Sequence, residues 1–123
     1  MQESKRQKQV AQLIEEEMAS IFLREGINII NGGMVSISKV EVTPDLLEAR
    51  ISLSFFKIED KQALLKEIIG KTSELRGLLG NKLRHHLRRI PELQFQLDDS
   101  IEHAFKMEEL FKKIEDERNN PPA

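Results

Sequence analysis

Between residues 35 and 55 apolar side chains recur at every second position, and on both sides of that stretch they recur at every third or fourth. A period of two belongs to a half-buried strand and a period of 3.6 to a helix lying on a core, so the chain must pack helices against a sheet. Val35 and Ile37 alternate with Ser36 and Ser38, and Val40 and Val42 resume the pattern after a one-residue slip at Lys39 that marks a bulge. Thr43-Pro44-Asp45 predicts a reversal, because proline suits the second position of a turn and cannot donate to a ladder. The return strand carries Ala49, Ile51, Leu53 and Phe55 on one face and Glu48, Arg50, Ser52 and Ser54 on the other, which should meet water or a partner.

The flanking elements follow the helical period. Residues 3–24 place Val10, Leu13, Ile14, Met18, Ile21 and Phe22 on one stripe, and Gly26 ends the helix. Residues 27–33, with the paired Gly32-Gly33, read as a loop. Asp60 caps a short helix over 61–69 that buries Leu64, Leu65, Ile68 and Ile69. A second helix is predicted from Ser73 to Ile90, closed by Pro91, and Leu93, Phe95 and Leu97 form a third strand. Asp99 with Glu102 resembles a capping box opening a last helix that carries Ile101, Ala104, Phe105, Leu110, Phe111 and Ile114. The expectation is an α+β domain of order α-β-β-α-α-β plus a C-terminal helix, a three-stranded sheet with helices on one face.

At 123 residues the chain suits one domain, taken as 1–117 with a disordered tail over 118–123, and it is too small for a cleft between two lobes. Function is therefore expected on a surface. No apolar run approaches the ~20 residues needed to span a bilayer, and the N-terminus lacks the pattern of an export signal. The absence of cysteine excludes disulfides and thiolate metal sites, and a cytoplasmic location fits.

The net charge of −2 conceals a segregation of charge. No acid falls between Glu74 and Glu92, whereas Arg76, Lys82, Arg84, Arg88 and Arg89 do. On a continuous helix Leu75, Leu79, Leu83, Leu87 and Ile90 would share one face, with Arg84 and Arg88 on the other and Lys82, His85 and Arg89 along a flank. Exposed helix faces ordinarily mix signs, so a one-signed face points to a polyanion, although a solvated face is the plain alternative. Lys5, Arg6 and Lys8 add cations at the start of the first helix. Residues 92–118 hold nine acids against four bases, a layout that would orient the domain on a polyanion.

Catalytic patterns are missing. Helix capping accounts for Asp98 and Asp99; His85 and His86 point about 100° apart and cannot share a metal, and His86 falls in the apolar sector as a partly buried structural residue. Gly70-Lys71-Thr72 follows a helix and lacks the earlier glycine of a phosphate loop. Gly77-Leu78-Leu79-Gly80 spells the GxxG of nucleotide-clamping loops, yet its leucines fit the helix stripe, and packing of a neighbouring helix explains its glycines. Phe22, Phe55, Phe95, Phe105 and Phe111 fall on apolar faces, and only Phe56 is off-phase, so a base-stacking platform is lacking and recognition should rest on RNA shape and phosphates.

The predicted core order is that of the type II KH fold, and the chain resembles the bacterial ribosome-binding factor A family from about Arg6 to Ile114. The likeness is carried by Val10-Ala11, Glu15-Glu16-Glu17, Val40-Glu41-Val42-Thr43-Pro44-Asp45-Leu46, Leu75-Arg76-Gly77-Leu78-Leu79-Gly80, Arg88-Arg89-Ile90-Pro91-Glu92-Leu93 and Asp99-Ser100-Ile101. The chain has Lys71-Thr72-Ser73 where the family has an Ala-x-Gly kink, and Gly32-Gly33 in place of Asp-Pro-Arg after the first helix. The resemblance implies a non-catalytic, cytoplasmic factor, monomeric when free, that takes no cofactor or small-molecule substrate. It would bind the small ribosomal subunit precursor and its ribosomal RNA late in maturation and rRNA processing, with a link to cold adaptation. Arg76, Lys82, Arg84, His85, Arg88 and Arg89, helped by Lys5, Arg6 and Lys8, are the expected RNA contacts. Two other readings stand beside it: a module that docks an acidic protein without nucleic acid, and a DNA-binding domain using the basic helix in a major groove.

Overall fold

The computed structural model describes residues 3–98 and 108–115. Helix α1 (Lys5–Arg24) starts at Ser4, whose hydroxyl accepts from the Gln7 amide at 3.1 Å while the Gln7 side chain accepts from the Ser4 amide at 2.8 Å. This capping box satisfies two of the amide groups a helix start leaves without partners. The α1 stripe is as the period predicts: Val10, Ile14, Met18, Ile21 and Phe22 are buried, and Leu13 is half-buried.

The sheet has four strands, not three. Strand β1 (Ile29–Ile30) lies within the stretch read as a loop and pairs antiparallel with β2 (Gly33–Val42). Asn31 (φ 50°) and Gly32 (φ 80°) form the connecting turn, both in the left-handed region that a two-residue hairpin of this twist requires. The Asn-Gly pair was the available signal, and the shortness of the apolar run concealed the strand. Gly33 is needed for a different reason: a Cβ there would lie 2.5 Å from the Lys57 carbonyl oxygen and 2.8 Å from that of Phe56.

Strand β3 (Glu48–Phe56) pairs antiparallel with β2, and the register slips between Ile37 and Lys39, so the expected bulge is present with Ser38 as the extra residue. Strand β4 (Glu92–Leu97) runs parallel to β3, giving the sheet order β1-β2-β3-β4. A parallel neighbour requires a crossover, and α2 (Lys61–Gly70) and α3 (Thr72–Leu83) supply it. Asp60 caps α2 by accepting from the Ala63 amide at 3.0 Å. Within α2, Leu64 and Ile68 are buried and Leu65 is half-buried, while Ile69 is exposed, contrary to the expectation that all four face the core. One core joins α1, α2 and α3 to the inner face of the sheet, where Ala49, Ile51 and Leu53 are completely buried.

The helix predicted over 73–90 stops at Leu83. The amides of His86 and Leu87 both donate to the Leu83 carbonyl at 2.9 Å, closing a turn after which the chain folds back to begin β4. Leu87 still reaches the core, and for that reason its spacing imitates a continuing helix. Pro91 cannot extend a helix and disfavours helical geometry at Ile90. The returning segment is stitched down by Arg76, whose Nε donates to the Pro91 carbonyl (3.0 Å) and whose Nη2 donates to that of Ile90 (2.6 Å). Gly77-Leu78-Leu79-Gly80 lies inside α3, as expected; Ile90 Cγ1 would sit 3.5 Å from a Cβ on Gly80, and nothing lies within 4 Å of one on Gly77.

The outer face of the sheet is less open than the alternation implies. Ser52 and Ser54 are buried, and Gln96 donates to the Ser52 hydroxyl at 3.0 Å. Residues 108–115 are helical, and Phe111 packs on off-phase Phe56 with ring centroids 5.0 Å apart, so helical structure meets both faces of the sheet, not one. The predicted capping box at Asp99 and Glu102, and the tail over 118–123, lie outside the described residues.

Two opposite stability changes follow from the glycines. Gly33→Ala should cost about 1–3 kcal/mol through backbone overlap, whereas Gly77→Ala, in an open helix interior, should gain about 0.5–1 kcal/mol. Arg76→Met keeps the aliphatic stem but strands two carbonyls, and should cost about 1–3 kcal/mol. Urea unfolding midpoints at constant m-value test all three.

Candidate nucleic-acid interface

The cationic residues occupy two segments, 5–8 and 82–89, whose chains are anchored at the same end of the sheet. Lys82 is in the last turn of α3, and Arg84 forms its C-cap. His85 and His86 follow in the turn, and Arg88 and Arg89 in a bend; all six are exposed. The exposure of His86 corrects its expected structural role: once α3 ends at Leu83, residue 86 leaves the apolar stripe. Arg84 Nε–H points to His85 Nε2 at 3.4 Å, which sets the two side chains beside each other. The row of arginines is thus a loop tip, not a helix face.

Arg76 differs from its neighbours. It is half-buried with two of its donors committed to backbone carbonyls, so its first role is to hold the 84–91 segment against α3. The sequence could not reveal this, because the carbonyl partners lie 14 and 15 residues away and belong to no side-chain motif.

Lys5, Arg6 and Lys8 are exposed on the first turns of α1, which carry no acidic residue. The N-terminal end of a helix has a partial positive charge, so three cations there repel it and favour an approaching anion. Gln7, between them, is buried, and its Nε2 donates to the Val42 carbonyl at 2.8 Å. Val42 pairs with Ala49 on β3, and the adjacent Glu48 pairs with Glu92, the first residue of β4. The Glu92 amide also donates to Leu47 O at 2.8 Å. The chain carrying Arg88 and Arg89 therefore enters the sheet at Glu92, at the end where Gln7 ties α1 to β2, and the anchor strands β2 and β4 are two strand spacings, about 10 Å, apart.

Between the two segments lies the β2–β3 hairpin loop. Asp45 accepts from the Thr43 hydroxyl at 2.6 Å and from the Leu47 amide at 3.0 Å, and these bonds hold its carboxyl below the usual range. Leu46 takes a positive φ of 63°, and Leu47 is left exposed. Among the described residues the ion pairs are Lys39–Glu41 (2.9 Å) and Lys112–Glu108 (4.0 Å). Neither involves a cation of the two segments, so among the described residues no carboxylate forms an ion pair with that charge. Among the described residues no group of three or more carboxylates and histidines is placed to hold a metal ion, and no helix is long and apolar enough to cross a membrane.

The family model for ribosome-binding factor A matches residues 6–111. A ribosome-binding factor A from Cytophaga hutchinsonii is 45% identical, covering 97% of this chain and 93% of its own, and one from Christiangramia forsetii is 36% identical, covering 98% and 93%. The crystal structure of ribosome-binding factor A from Thermus thermophilus shares the fold, with a TM-score of 0.60 at 15% identity over 74% of this chain and 94% of that one. A homology model of Thermus thermophilus ribosome binding factor A, fitted into a cryo-EM map of its complex with 30S, gives a TM-score of 0.55 at 18% identity, covering 68% of this chain and 86% of that one. With a family match across most of its length and relatives of this identity covering both chains, the protein belongs to the ribosome-binding factor A family.

Proposed function

We propose that this protein is a non-catalytic RNA-binding factor that docks on the small ribosomal subunit precursor during late maturation, gripping ribosomal RNA phosphates with Lys82, Arg84, Arg88 and Arg89 on one side and Lys5, Arg6 and Lys8 on the other. His85 adds a polar contact beside Arg84. The observation that carries the reading is that two cationic segments, paired with no carboxylate among the described residues, are anchored at one end of the sheet in a chain whose net charge is negative. A relative fitted into a complex with 30S supports the choice of partner. The succession α1, β2, β3, α2, α3, β4 supports a KH-like layout, with β1 as an addition and Lys71, at φ −96° and ψ 8°, as the bend between the crossover helices. The factor acts as a cytoplasmic monomer before release, and assistance to rRNA processing in the cold fits the same role.

Exposed cations at an RNA surface should change binding without changing folding. Arg84→Glu with Arg88→Glu should abolish co-sedimentation with small-subunit precursors and leave thermal unfolding nearly unchanged; co-sedimentation equal to that of the unaltered protein would refute the site. If five cations each neutralise one phosphate, log affinity should fall against log salt with a slope of roughly −3.5 to −4.5. Nuclease treatment should release the partner, whereas a protein-only complex would survive it.

The start of α1 gives a test in which the two quantities move in opposite directions. Lys5→Glu with Arg6→Glu improves the match to the helix dipole and should raise stability by about 0.5–1 kcal/mol, while weakening RNA binding at least tenfold. Paired denaturation and RNA-binding titrations read both.

A further inference from the structure

We infer that Gln7, a neutral and buried residue, is a positioning residue of the RNA surface: it locks the Lys5, Arg6 and Lys8 turn at a set distance from the Arg88–Arg89 bend, so that both engage one RNA as a single site. The inference rests on the function proposed above. Gln7 uses both ends of its amide. Its Oε1 accepts from the Ser4 amide at 2.8 Å, which fixes the first turn of α1, and its Nε2 donates to the Val42 carbonyl at 2.8 Å, which ties that turn to the end of β2. The opposite segment is tied to α3 by Arg76 on Ile90 and Pro91, and to the same end of the sheet by the Glu92 amide on Leu47.

A buried amide with both ends bonded holds a side-chain position that water cannot replace. Helix α1 would otherwise be oriented by apolar packing, which is tolerant of sliding and rotation. Directional bonds at its first turn remove that freedom where the cations sit. Two cationic groups held at a fixed spacing bind a structured polyanion without a further ordering cost, whereas loosely held ones lose part of the gain.

Gln7 bears no charge, so its removal cannot delete a phosphate contact directly. Gln7→Met preserves volume, burial and helix propensity while losing both bonds. With a small-subunit ribosomal RNA fragment as probe, this variant should bind roughly tenfold more weakly, and its salt slope should shrink by about 1.5–2.5, the share of two or three cations. Added to Lys5→Gln, Arg6→Gln and Lys8→Gln together, the same change should have little further effect, because the residues it positions are already gone. Because the chain has no cysteine, spin labels on Arg6→Cys and Arg89→Cys should report a broader distance distribution in the Gln7→Met background. Should Gln7→Met fail to fold, Gln7→Asn, whose amide is one methylene too short, gives the same comparison. An unchanged salt slope, or a loss that adds in full to that of the triple variant, would overturn the positioning role even with strong binding by the unaltered protein. Salt-independent binding by the unaltered protein would instead overturn the function beneath it.

Discussion

The inner face of β3 is the contact on which the rest of the domain depends. Ala49, Ile51 and Leu53 are fully buried there, and β3 is flanked by an antiparallel neighbour on one side and a parallel neighbour on the other. A central strand of this kind sets the level of both neighbours. Since β2 ends and β4 begins at the level where β3 begins, whatever is attached to Val42 and to Glu92 must meet at one end of the sheet. Strand register thus sets where the two cationic segments are anchored.

The loop that carries the arginines is also held in place. Residues 84–91 lie outside regular structure, yet Leu87 is buried beneath them, Arg76 holds their last carbonyls, and Glu92 is already in the ladder. Arginine suits this task because its planar fork can reach two carbonyls at once. On the other segment an uncharged glutamine performs the equivalent task. The residues that position charge are thus partly distinct from the residues that carry it.

Much of this was legible in the order of residues. The alternation of Val35 to Phe55, the turn at Thr43-Pro44-Asp45, the bulge beside Lys39 and the cap at Asp60 are local, governed by neighbours within a few positions, and each is present. The misreadings have a common origin. Leu87 keeps the spacing of a helix because it is buried, not because the chain is helical, and periodicity cannot separate those causes. Ile29-Ile30 is too short to display a period at all. Ile69 fits an apolar stripe yet remains exposed, since α2 meets the core through Leu64 and Ile68. Phe56 is off-phase as expected, and only the fold supplies its partner, Phe111, more than fifty residues away.

By itself the sequence determined the alternation of helix and strand, the capping and turn residues, and the inventory of cations without acidic neighbours between Glu74 and Glu92. These depend on short-range sterics, hydrogen bonding and charge. Only the tertiary structure decided that α3 ends at Leu83, that Arg76 serves the backbone, that Gln7 ties α1 to β2, and that both cationic segments are anchored at one end of the sheet. Each of those depends on partners distant along the chain, and pairing at a distance is settled when the whole core closes around β3.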